Sequence, residues 1–215
     1  MGVSPGNQGR FPGYDVLQQA STWDDVTKGV VLARLAPPPA LRFFSTAEEA
    51  TGRALVDRLL AQEEEPRIPV LEMIDARLAE AQTDGWHYED MPEDGDAWRR
   101  SLAALDDEAQ GAQGAHFHEL RAPDQDRLLE QVRTGQEWRG MPASHVWDLW
   151  MRYSCTAFYS HPWSWNEIGY GGPAYPRGYK NMGLGAREPW EVEEADARDP
   201  VPWAERVEAA KRGGR

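Results

Sequence analysis

Residues 142–158 read PASHVWDLWMRYSCTAF. Val146, Leu149, Trp150, Tyr153 and Ala157 recur at spacings of three and four, so they share one face of a helix. Trp147, Met151 and Phe158 make a second face, with Ser154 small between the two. A surface helix carries one apolar stripe, whereas this one is apolar over much of its circumference. It is therefore central to a helical fold, or it has core on one side and a partner on the other.

Four more helices are expected upstream. Residues 43–62, FFSTAEEATGRALVDRLLAQ, form the clearest one. Ser45 and Glu48 fit a capping box at its start, and Ala47, Leu55, Val56, Leu59 and Leu60 make its stripe. Residues 68–81 repeat Val70, Ile74 and Leu78 every four positions. Residues 97–110 give a third helix and 123–134 a fourth, with Pro123 in the first turn, where a missing amide is harmless. Phe117 and Leu120 are expected to plug into the core, and residues 83–96 to form an acidic loop. Before the bundle, residues 1–13 read as mobile and residues 14–35 as one or two short helices broken near Gly29. Ala36-Pro37-Pro38-Pro39 reads as a stiff linker. No long alternating run predicts a strand. The expected fold is mostly α: a compact bundle of about five main helices with a long irregular C-terminal arm. Three regions follow: a partly mobile extension over 1–39, a helical domain over 40–185 and an acidic tail over 186–215.

The arm begins with FYSHPWSWNEIGYGGPAYPRGYKN, residues 158–181. Seven of its residues are Phe, Tyr or Trp, while four Gly and three Pro forbid a long helix. Three readings are open: a lid over the chain's own core, an interface in which Trp and Tyr anchor a second protein, and a platform stacking on a sugar. Lid and interface can coexist. Anchors of this kind contribute ~2 kcal/mol each.

Bulk numbers narrow the function. The 215 residues carry a formal net charge of −13, which disfavours nucleic acid and anionic membranes. Ten Trp residues imply extensive buried or interface surface. A single cysteine, Cys155, allows no internal disulfide, and no CxxC exists for a Cys-based zinc site or covalent haem. The start has no basic head followed by an apolar run, and no apolar stretch is long enough to insert in a bilayer. A cytoplasmic location is expected, with export bound to a signal-bearing partner as the exception.

The segments FFSTAEEATGRALVDRLLAQ, IPVLEMIDARLAE, WRRSLAALDDEA, FHELRAPDQDRLLEQV and VWDLWMRYSCTAFYSHPWSWNEIGYGGPAYPRGYK follow one another in an order that resembles the gluconate 2-dehydrogenase subunit 3 family. The resemblance spans roughly residues 40–185, and residues 159–179 are its most specific part. It implies a non-catalytic small subunit. In that family a large flavoprotein of the glucose–methanol–choline type holds FAD and oxidises a sugar or polyol, and a cytochrome often takes the electrons. Many small subunits carry a twin-arginine export signal; here Arg99-Arg100 is internal, and residues 1–39 are extra to the family pattern.

On that reading no catalytic, cofactor-binding or metal residue is assigned to this chain. The interface candidates are Tyr159, His161, Trp163, Trp165, Asn166, Glu167, Tyr170, Tyr175, Arg177 and Tyr179. His161 with Glu167 could do acid–base work, but a capping or interface hydrogen bond is the preferred role. His116 and His118 lack a third ligand for a metal, and His87 and His145 stand alone in sequence. Ser160 beside His161 is no hydrolase signature, because adjacent residues do not form a nucleophile–base pair. Cys155 reads as a structural thiol. Trp190 and Trp203 lie among acids in the tail, where they strap a partner or cover this chain.

Overall fold

Ser45 caps helix α2 (Thr46–Leu59) as its sequence implies. Its hydroxyl accepts the Glu48 amide at 3.4 Å, and the Glu48 carboxylate accepts the Ser45 amide at 2.8 Å. The computed structural model describes residues 10–181, 183 and 186–195. Their secondary structure is predominantly helical, and they belong to two compact units.

The unit of residues 30–161 holds α2, α3 (Val70–Ala79), α4 (Asp94–Gln113), α5 (Ala122–Thr134) and α6 (Ala143–Ser160). These are the five expected helices with shifted ends; α4 starts three residues early and ends at Gly114, whose φ of +69° suits glycine. Helix α6 packs against α2, α3, α4 and α5. Val146, Leu149, Trp150, Tyr153, Ser154 and Ala157 are buried on it, whereas Trp147, Met151 and Phe158 are only half-buried. One of its two apolar faces is thus core and the other is partly open.

Several buried polar groups of this unit are paired, although the Trp98 and Trp138 indole nitrogens and Ser154 Oγ are buried without a partner among the described residues. The Trp150 indole donates to Ser101 Oγ at 2.9 Å, and the Tyr153 hydroxyl donates to Asp94 at 2.6 Å. Buried Asp75 on α3 accepts the backbone amides of Arg42, Phe43 and Phe44 at 2.7, 2.8 and 2.9 Å, tying the chain ahead of α2 to α3. Phe117 is fully buried, and Leu120 is half-buried.

A short antiparallel pair, β1 (Glu137–Trp138) and β2 (Met141–Pro142), was not foreseen. Its two-residue turn, Arg139-Gly140, has φ of +50° and +79°, the left-handed geometry that matches strand twist. Arg-Gly gave a weaker signal than Asn-Gly would have.

The other unit joins residues 10–29 to the described residues after 161. It opens with a 3-10 helix, Val16–Thr22, capped by the Asp15 carboxylate on the Leu17 amide. Helix α1 (Asp25–Ala33) starts here and runs on into the first unit. Gly29 lies inside α1, so the expected break falls instead at Trp23-Asp24. The arm is not irregular from its start: Pro162 opens a short helix α7 (Pro162–Ile168). The compact units divide the chain at 29/30 and 161/162.

Candidate partner-binding surface

Glycine and tyrosine alternate after α7, and the two residue types do different work. Gly169 and Gly172 have φ of +65° and +72°. A Cβ on Gly169 would lie 2.7 Å from the Phe11 ring, one on Gly172 would lie 2.6 Å from Trp23, and one on Gly171 would lie 2.6 Å from the Trp190 indole nitrogen. These glycines let three aromatic rings close on the backbone. Asn166 accepts the Val16 amide at 2.8 Å, and Tyr14 donates its hydroxyl to the Tyr170 carbonyl at 3.0 Å. Burial pushes the Tyr14 hydroxyl up to about 12. The N-terminal segment is therefore an integral partner of the arm.

The ten interface candidates divide by exposure. His161, Trp165 and Asn166 are buried by this chain itself, at 2%, 5% and 1% exposure. Trp163, Glu167 and Arg177 are half-buried. The Arg177 guanidinium lies 3.9 Å from the Trp190 ring and donates to the Gly171 carbonyl at 2.8 Å, so it serves the fold of its own unit. Trp190 accordingly covers this chain, while Trp203 lies outside the described residues. Tyr170, Tyr175 and Tyr179 are 40%, 69% and 46% exposed, with Ile168 beside them in sequence at 42%. In the helical unit, Tyr159 is 50% exposed at the end of α6. The tyrosines present more ring surface to solvent than Trp165, which is buried, or Trp163, which is half-buried.

The histidines are placed for structure. Burial pushes His161 down to about 4 and keeps it neutral, with its ring hydrogen-bonded to the Arg34 backbone. The Arg34 guanidinium donates to the Ser160 carbonyl at 2.6 Å, closing the end of α6. His116 meets Asp106 at 2.6 Å and stacks on His118; the bond to Asp106 raises its pKa. Among the described residues, no group of three or more His, Cys, Asp or Glu is arranged to hold a metal. Burial raises the Cys155 thiol, which makes it a weaker nucleophile. No helix among the described residues is long and apolar enough to cross a membrane.

Sequence reasoning placed a loop at 83–96 but assigned it no role. Trp86 in it is 49% exposed, and His87 and His145 do not stand alone. His145 meets Asp90 at 2.9 Å and stacks on Tyr88, and His87 lies 3.8 Å from Glu93. The run Trp86-His87-Tyr88-Glu89-Asp90 was the available signal: aromatic rings interleaved with acids on a segment too punctuated to be core.

No curated protein and no solved structure matches this chain. A family model does, over residues 46–172, more than half of the 215 and including all of α2 to α7 with Gly169 to Gly172. The chain belongs to the gluconate 2-dehydrogenase subunit 3 family, whose name is that of one subunit of a dehydrogenase complex.

Proposed function

We propose that this chain is a non-catalytic subunit that binds and stabilises a larger dehydrogenase subunit. That larger subunit is of the FAD-dependent glucose–methanol–choline type, oxidises a sugar or polyol, and holds the flavin itself. The electrons pass to an acceptor outside this chain, a cytochrome in the arrangement the family resemblance implies. The complex is placed in the cytoplasm, or exported with a signal-bearing partner.

The observation carrying this reading is the exposure of Tyr159, Tyr170, Tyr175 and Tyr179 in a chain of a subunit family. Large rings left half in water are the residue type that anchors protein interfaces. A specific complex of standard size covers ~1,600 Å² in total, to which Tyr170, Tyr175 and Tyr179 on one unit, and Tyr159 on the other, can each contribute.

Co-expression with the larger subunit tests it. The expected result is a stable 1:1 complex by size-exclusion chromatography, with flavin absorbance in the complex and none in this chain alone. A well-folded chain that ignores the larger subunit, or that oxidises sugar unaided, would overturn the proposal.

A further inference from the structure

The loop at 83–93, between α3 and α4, is mostly exposed yet is tied to its neighbours by several contacts. Asp84 pairs with both Arg77 and Arg152. The Arg152 guanidinium lies 4.9 Å from the Trp86 ring, and Tyr88 meets that ring edge-on at 5.3 Å. Tyr88 in turn stacks on His145 of α6 at 3.7 Å, with the rings 4° from parallel. A surface loop tied at several points, with an indole left half in water, is preorganised to bind something.

Beside Trp86 lies a cavity of about 290 Å³ lined by Thr83, Gly85, Trp86, His87, Glu93 and Asp94. The charge around it is unbalanced. Asp84 is neutralised by two arginines, and Asp94 shares Arg152 at 3.4 Å and accepts the Tyr153 hydroxyl. Glu89 and Glu93 are exposed and have no arginine or lysine ion pair among the described residues; Glu93, the one of the two that lines the cavity, has the distant His87. An indole with the Glu93 carboxylate in the same cavity wall is complementary to a cation, as its contact with Arg152 at 4.9 Å already illustrates.

We propose that this loop is a second docking point for the larger dehydrogenase subunit, and that the Trp86 cavity receives an arginine or lysine side chain from it. This rests on the subunit reading above. The choice of occupant comes from charge: a sugar would need ring faces and neutral donors, and the surplus here is anionic.

The test is affinity for the larger subunit at low and high salt, for wild type, Trp86→Ala, Glu89→Lys/Glu93→Lys and Tyr175→Ala. Trp86→Ala is expected to weaken binding ~10-fold. Because it also removes the ring beneath Arg152, the double charge reversal is the cleaner variant, since both of its residues are exposed. It is expected to weaken binding by ~10-fold or more at low salt and to flatten the salt dependence, with a melting temperature lowered by no more than a few degrees, since Glu93 also stands at the N-cap of α4. Tyr175→Ala should weaken binding and leave the salt dependence as in wild type. If the charge reversal binds like wild type while Tyr175→Ala does not, the loop proposal is overturned and the subunit reading stands. A sugar that binds the free chain and loses affinity on Trp86→Ala would overturn it in favour of a carbohydrate site. A wild-type chain that binds no larger subunit would overturn both.

Discussion

Helix α6 and the arm that follows it are equally rich in rings, yet they hide them by different means. On α6 the periodicity of the helix decides: positions three and four apart face the core, and Trp150 and Tyr153 are buried with their polar atoms bonded to Ser101 and Asp94. On the arm no period operates. Trp165 is buried while Tyr175 is 69% exposed, and the sorting is done by glycines that admit Phe11, Trp23 and Trp190 to the backbone. A helix face announces its inside in the sequence; an irregular arm acquires one only when distant residues arrive.

That contrast can be broken at Trp165. Trp165→Ala should cost the free chain ~3 kcal/mol, read as a drop in thermal stability, because a large ring is removed from a filled site. A change near zero would return Trp165 to the set of partner anchors. In the helical unit the counterpart is Asp75. Asp75→Ala leaves the amides of Arg42, Phe43 and Phe44 without their acceptor and should cost about 3 kcal/mol in the same melt. Loss confined to local exchange of those three amides, with the melt unmoved, would show that the tie is dispensable.

A smaller effect comes from pH. The folded pKa of His161 is about 4, below the ordinary 6.5, so the unfolded chain takes up its proton first. Its contribution is therefore complete above about pH 6.5 and is lost as the pH falls toward 4. Denaturant midpoints of wild type and His161→Gln across that range should converge at the acid end. Parallel curves would mean that His161 is not held neutral. The smallest effect is expected at Tyr175: Tyr175→Ala should change the stability of the free chain by less than ~0.5 kcal/mol, since 69% of the residue is already in water. A large loss there would make the tyrosines part of the lid.

The bundle was legible because its information is local. Ser45 and Glu48 are three residues apart, and the stripes of α2, α3 and α6 repeat within a turn or two. Helix α7 was missed although Pro162 stands at its first position, because the glycines after it dominated the reading. That Trp165 and Asn166 are the ones buried was not legible for a different reason. Asn166 accepts an amide from Val16, 150 positions away, and nothing in one sequence states such a pairing. The exposed tyrosines were named as interface candidates along with their buried neighbours. Composition can flag a ring-rich segment but cannot say which rings the chain will cover for itself.

The union of residues 10–29 with those beyond 161 also has a consequence in time. Residues 30–161 are continuous, so during synthesis they can assemble as soon as they leave the ribosome, whereas Tyr14, Val16 and Trp23 must wait for the last quarter of the chain. Closing a loop of that length is slow compared with forming local helices. In the interval those early apolar side chains have no cover from the arm, so the unfinished chain exposes apolar surface that the finished one hides.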